Sequence, residues 1–370
     1  MNILRRLPLS RLLLLCGLVV AVGISATALA SALGSAPTPA PKPLAAAVHD
    51  ALAAPPVEGF SADVTLTDRL IEGANLASGG NGEASQLSSS PLLSGASGRV
   101  WIAKDGRVRL ELRAEKGDTG IYYDGHTATL FDASTNTVYR YVVPSEGASP
   151  QPETPGEQHE VPSLAKIEEA ISHLEQHANV SGATPSDVAG QPTYTVRVSP
   201  NERGSLIGAA ELSWDANNGV PLRAAVYSST SSSPVIELAA SGEVSFGPVE
   251  ASVFEFKPPA GAKIQDVKPP EKGSSGANPR PSDGSSHPTV TKHGHGIGGV
   301  VVVEDRKAGS SQTESSNLPE GLPKVKINGQ TATELSTALG TLLTFERSGV
   351  RYVVGGFVAP STVEDVARGL

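Results

Sequence analysis

Between residues 188 and 260, apolar, β-branched and aromatic residues alternate with polar ones. The runs are V-A-G-Q-P-T-Y-T-V-R-V-S-P, A-E-L-S-W-D-A-N-N-G-V-P-L-R-A-A-V-Y, V-I-E-L-A and V-S-F-G-P-V-E-A-S-V-F-E-F-K-P-P-A, with Gly, Pro, Asn and Asp between them. A period of two, punctuated by turn residues, predicts successive antiparallel strands with one buried face. The same pattern predicts strands over 60–71, 99–104 and 107–113, the last two joined by a tight turn at Asp105-Gly106. Three further strands are expected over 121–123, 128–131 and 137–143, with Asp124-Gly125 and Ser134-Thr135-Asn136 as turns. Within 107–113, Val108, Leu110 and Leu112 fall on one side and Arg107, Arg109, Glu111 and Arg113 on the other, which predicts a dry face and a wet face.

Helical spacing replaces this alternation in four places. Leu44, Val48 and Leu52 make the stripe of a short helix that Pro55-Pro56 ends. Ser163 is placed to cap a second helix, running to about His177, with Leu164, Ile167, Ile171 and Leu174 as its apolar stripe. Near the end, 331–340 is expected to be helical, and 361–370 to form a last helix capped by Ser361. Between them, 342–346 and 350–358 are expected to pair around Ser348-Gly349, and 298–304 to form a short strand. Residues 73–98, rich in Ser and Gly with scattered leucines, read as a flap. The segments 144–162, 269–296 and 305–318 read as loop or linker.

The N-terminus supplies an address. Arg5, Arg6 and Arg11 precede an apolar run over 12–33, the arrangement of an export signal, and Ala28-Leu29-Ala30 suits cleavage before Ser31. Uncut, the run is long enough, at about 20 residues, to span a bilayer with the rest of the chain outside. The expected location is therefore the outer face of the cytoplasmic membrane, contacted through residues 12–33, or a secreted or periplasmic form if the signal is cut. This divides the chain into a signal peptide or anchor (1–33), a Pro-rich spacer (34–43), a sheet domain (44–266), a low-complexity linker (267–297) and a small C-terminal strand and helix unit (298–370). A content of 39 Gly and 29 Pro agrees with a folded core diluted by long irregular segments. A net charge of −9 with no basic stripe beyond the N-terminus argues against a nucleic-acid partner. The single cysteine, Cys16, excludes an intramolecular disulfide.

Nothing catalytic emerges. Glu169, His173 and His177 share one face of the second helix, but a zinc site needs a further ligand and the face is expected to be solvated. His287, His293 and His295 lie among Gly, Pro and Thr, where histidines are ordinary linker residues. There is no G-x-S-x-G, P-loop or dinucleotide fingerprint. No catalytic residue, metal ligand or cofactor is assigned, and the reading is non-enzymatic.

The segments V-A-G-Q-P-T-Y-T-V-R-V, A-E-L-S-W-D-A-N-N-G-V-P-L-R and V-F-E-F-K-P-P-A-G-A-K-I resemble the LolA/RseB-like superfamily of extracytoplasmic proteins. G-R-V-W-I-A-K-D-G-R-V-R-L-E-L, Y-Y-D-G-H-T-A-T-L-F-D and N-T-V-Y-R-Y are similar to that family's first strands. The resemblance covers roughly 44–266 and implies an α+β fold: a curved antiparallel sheet, an incomplete β-barrel, with lid helices over its concave apolar face. To this the chain adds a small C-terminal α/β unit and an N-terminal apolar helix. The implied job is holding a lipid or lipoprotein acyl chain in that face. The alternative is an RseB-like regulator acting on an envelope-stress anti-sigma factor, a membrane regulatory protein. The family supplies no ligand residues to carry over, so the candidate contacts come from strand faces: Trp101, Leu110, Tyr122, Leu130, Tyr194 and Trp214.

Overall fold

The computed structural model describes residues 38–71, 95–114, 117–143, 161–267, 289–305, 318 and 321–370. The first half runs α1 (Leu44–Ala53), β1 (Gly59–Asp68), β2 (Ala96–Ala103), β3 (Val108–Ala114), β4 (Gly117–Tyr123), β5 (Thr127–Asp132) and β6 (Thr137–Val142). Then come α2 (Leu164–Glu175), β7 (Ala178–Val180), β8 (Thr184–Val188), β9 (Gln191–Pro200), β10 (Ile207–Asp215), β11 (Pro221–Ser228), β12 (Pro234–Ser245) and β13 (Lys263–Asp266). The C-terminal part comprises β14 (Thr289–His293), β15 (Val300–Asp305), β16 (Lys324–Ile327), β17 (Gln330–Ser336), β18 (Thr341–Arg347), β19 (Val350–Gly356) and α3 (Pro360–Arg368).

The alternating runs form one large, curved, open sheet of 13 strands. β1 is its centre: the meander β2 to β6 extends from one side, and β12, β11, β10 and β9 follow in order on the other. β13 closes the meander end by pairing parallel to β6, and β7 and β8 share the outer edge of β9. Turn chemistry sets the register. Ala189 and Gly190 both have positive φ (52° and 77°), the two-residue type I′ turn that matches strand twist, and they join β8 to β9. The Asp105-Gly106 turn is a three-residue loop instead. The Gly106 N–H donates to Ala103 O, and Gly106 takes φ 88°, a conformation that glycine adopts without strain.

Ser163 caps α2 as expected, its hydroxyl accepting from the Lys166 N–H at 3.4 Å. α3 begins one residue early, with Ala359 as N-cap and no side-chain cap, so Ser361 does not hold that role. Pro360 sets the start, since its fixed φ and missing donor suit the first helical position.

The C-terminal unit is a six-stranded sheet, ordered β14-β15-β19-β18-β17-β16, with α3 on one face. Here two expectations are corrected. Residues 330–336 form β17, not a helix: Ala332 and Glu334 point inward while Gln330 and Thr331 are exposed, and Asn328-Gly329 (φ 48° and 85°) is a type I′ turn from β16. Part of the expected linker 267–297 is strand β14, paired with β15 along its length. The strand pair turned at Ser348-Gly349 is present as β18 and β19. Among the described residues no helix is long and apolar enough to cross a membrane, and the apolar run 12–33 lies outside them. The flap at 73–98 also falls almost wholly outside them.

The two sheets meet at the β9–β10 loop and the end of β1. The Leu206 N–H donates to Phe357 O at 2.7 Å beside a Ser205–Val358 bridge, and the Ala338 N–H donates to Leu70 O at 2.9 Å. Glu202 Oε2 accepts the Ile297 N–H at 2.9 Å and the Gly298 N–H at 3.4 Å.

One carboxylate sits inside the small unit. Glu334 is 8 % exposed, in a cross-strand row with Val302, Val354 and Leu343 under α3, and its Oε2 has no partner. Burial, with Glu364 of α3 adding repulsion, raises its pKa; Glu364 itself pairs with Arg368. A raised carboxyl contributes full stability below the ordinary carboxylate range and loses it as pH rises through the folded-state value. Glu334→Gln is expected to raise the unfolding temperature of the unit at neutral pH and to flatten its pH dependence there, as read by calorimetry between pH 4 and 8.

Candidate functional site

Direct cross-strand partners share a face, so the registers sort the side chains of the large sheet. One row runs Ala62, Val100, Leu110, Ile121, Leu130 and Tyr139 across β1 to β6. Beside it run Phe60, Ile102, Val108, Tyr123, Ala128 and Tyr141. From β3 to β6 every member of both rows is only half-buried.

Towards β9 and β10 the same face is sealed by helices. Val48 and Leu52 of α1 and Ile167 of α2 pack with Tyr194, Val196, Val198, Ala210, Leu212 and Trp214. Tyr194 is 3 % exposed and donates its hydroxyl to Ala40 O at 2.6 Å, and Trp214 is 0 % exposed. The β10–β11 turn lies against the end of α1: a Cβ on Gly219 (φ 72°) would stand 2.5 Å from Ala51 O. In the middle of the face, Phe60, Ala62, Val188, Val220, Leu222 and Ala240 close a smaller core.

The opposite face of the meander carries Trp101, Arg109 and Tyr122 in one row, with Arg99, Glu111 and Phe131 in the next. It is not the solvated face expected from 107–113, because residues 251–256 cross it. Phe256 stacks on Tyr122 with centroids 4.4 Å apart, and Arg109 donates to Val253 O at 2.6 Å. The Arg109 guanidinium also pairs with Glu111 and lies 5.4 Å from the Trp101 and Tyr122 rings.

The six candidate contacts therefore do not converge. Leu110 and Leu130 lie on the half-covered apolar face, Tyr194 and Trp214 lie on its helix-packed part, and Trp101 and Tyr122 face the other way.

Further along that second face is a charge network that sequence reasoning missed. Glu211 accepts Arg197 Nη1 at 3.0 Å on one oxygen, and Arg223 Nη1 and the Tyr227 hydroxyl at 2.7 Å each on the other. Arg223 reaches Glu237 as well, at 2.6 Å, and the Arg197 guanidinium stacks 4.3 Å from the Tyr227 ring centre. Burial works to raise the Glu211 pKa, but the bonds from Arg223, Tyr227 and Arg197 outweigh it and hold the carboxyl below its usual range. The available signal was a lone charge between apolar neighbours on each strand: V-R-V, A-E-L, L-R-A and I-E-L.

His173 and His177 are adjacent, with ring centroids 5.9 Å apart. Among the described residues no group of three His, Cys, Asp or Glu could hold a metal ion.

Residues 81–149 match the model of a family described as a predicted periplasmic protein, DUF2092. No curated protein matches the chain. Among solved structures, the chain is similar to those of MucB and of a LolA superfamily protein. The complex of MucA and MucB from Pseudomonas aeruginosa is 14 % identical, covers 88 % of this chain and 96 % of that one, and has a TM-score of 0.40. A second structure, MucB in complex with MucA(peri), is 15 % identical with coverages of 84 % and 91 % and a TM-score of 0.38. The LolA superfamily protein, from Nitrosomonas europaea, is 10 % identical with coverages of 87 % and 97 % and a TM-score of 0.19.

Removing the centre of a buried ion cluster leaves its cations uncompensated, at a cost of about 3 kcal/mol or more. Glu211→Gln is expected to lower stability on that scale, shown by a fall in the urea midpoint at neutral pH. Because the Glu211 carboxyl is depressed, the gap between wild type and variant should close as pH falls through its folded-state value.

Proposed function

We propose that the protein is a non-enzymatic, extracytoplasmic binding protein that holds a lipid or lipoprotein acyl chain against the apolar face of β2 to β6. The observation that carries this reading is the half-buried row Val100, Leu110, Ile121, Leu130 and Tyr139 on a face whose other end is sealed by α1 and α2. Five strands at a spacing of ~4.8 Å make the row about 19 Å long. One acyl chain occupies half of a ~30 Å bilayer core, so a single chain fits along it. Apolar area of this kind gains about 25 cal/mol per Å² when covered. The export signal at the N-terminus puts the domain outside the cytoplasm, with 12–33 either anchoring it to the membrane or removed. Within the domain division 1–33, 34–43, 44–266, 267–297 and 298–370, the ligand belongs to 44–266.

A second reading makes the chain a regulator that contacts a membrane regulatory protein, of the anti-sigma-factor kind, through its C-terminal sheet. The face turned away from α3 carries Val290, 65 % exposed, and Val301, 39 % exposed, with Val303 and Val353 beside them.

Native mass spectrometry of the exported chain after mild extraction is expected to show a co-purified lipid. The double variant Leu110→Gln/Leu130→Gln should lose it, and should bind a fluorescent fatty acid at least about 10-fold more weakly, since each leucine is worth 1.5–3 kcal/mol when fully covered. An empty wild type, or equal binding by the variant, would sink the lipid reading. For the regulatory reading, crosslinked pull-down with Val290→Lys/Val301→Lys should lose a membrane partner that the wild type retains; an unchanged partner list rejects it.

A further inference from the structure

Where β9 runs into β10 and β11 into β12, a cleft of about 770 Å³ opens beside the charge network. Arg197 and Ser199, two residues apart on β9, reach it from the same face of the sheet. The Arg197 guanidinium is only partly satisfied: Nη1 binds Glu211, and Nε is buried with no partner. Ser199 is 8 % exposed, and its hydroxyl has no hydrogen-bond partner among the described residues. Arg203, on the β9–β10 loop, is exposed and makes no ion pair or hydrogen bond among them either. The cleft's own acid, Glu202, accepts the Ile297 and Gly298 amides on Oε2. Ser229 and Ser232 add hydroxyls from the facing β11–β12 turn.

Two incompletely paired guanidiniums and an unpaired hydroxyl give the cleft more free donors than acceptors. An oxyanion supplies several acceptors and the opposite charge at once, and guanidinium is the side chain best fitted to it. The remaining serine hydroxyls suit the hydroxyl groups of a polyol, and the volume falls in the range of small-molecule sites. We propose that this cleft binds a phosphate ester of a polyol, either as a free sugar phosphate or as a lipid headgroup. The site is separate from the apolar row: it lies on the other face of the sheet and at the other side of β1.

The test is titration calorimetry of the full chain with glucose 6-phosphate, glucose and inorganic phosphate, alongside sedimentation with phosphatidylglycerol or phosphatidylcholine vesicles. Expected is binding of glucose 6-phosphate, or of phosphatidylglycerol vesicles alone if the source is a headgroup, at least about 10-fold tighter than either glucose or phosphate. Losing a hydrogen bond to a charged group weakens binding by about an order of magnitude or more. Arg203→Gln and Ser199→Ala should therefore each weaken binding by about 10-fold or more. Arg203 is exposed, so its substitution leaves the unfolding temperature unchanged and separates lost binding from lost fold. The proposal is overturned by no binding in any arm, by phosphate or glucose binding as tightly as the ester, by vesicle binding indifferent to headgroup, or by binding that survives both substitutions.

Discussion

A strand turns alternate side chains to opposite faces, so a 13-stranded open sheet has two broad surfaces, and the apolar rows on each gain from being covered. This constraint accounts for most of the molecule outside the sheet. α1 and α2 cover one face at β7 to β10, where Tyr194 and Trp214 fill the space between helix and strand. Residues 251–256 cross the other face at β3 to β5 and bring Phe256 onto Tyr122. The apolar rows of β3 to β6 are left half-covered, and the difference between the two ends of one face is the basis of the proposed binding role.

The faces are also held by different physics. On the helix-covered side the contacts are apolar, and their strength follows the area removed from water. On the other side, Arg197, Glu211, Arg223, Glu237 and Tyr227 bridge β9 to β12 by charge-assisted bonds. A buried pair of this type gives little net stability relative to a well-packed apolar patch, but losing one partner is costly. The network ties four consecutive strands together across one face of the sheet. Its edge is where Arg197 Nε remains without a partner, beside the loop on which the C-terminal unit docks.

Local patterns were legible wherever one face of an element decides its fate. The β2–β3 and β18–β19 hairpins, the stripe of α1 and the Ser163 cap all follow from residues within a few positions of one another. The 331–340 segment forms a strand where a helix is expected because T-A-T-E-L-S-T-A-L satisfies both periods weakly, and the preceding Asn328-Gly329 turn is what decides for the strand. Strands β7, β8 and β13, only three to five residues long, lack the length for a period to show.

The sequence by itself determined that residues 188–260 alternate, that the chain builds mainly sheet, and that each strand carries one apolar side. It could not say which apolar sides share a face or what covers them. Trp101 and Leu110 are both apolar strand residues, yet strand pairing puts Arg109 opposite Trp101 and Val100 opposite Leu110, on opposite faces. Trp214 and Leu130 share a face, yet only Trp214 lies under a helix. Register and cover arise from contacts between residues far apart in the chain, and a period of two is blind to both.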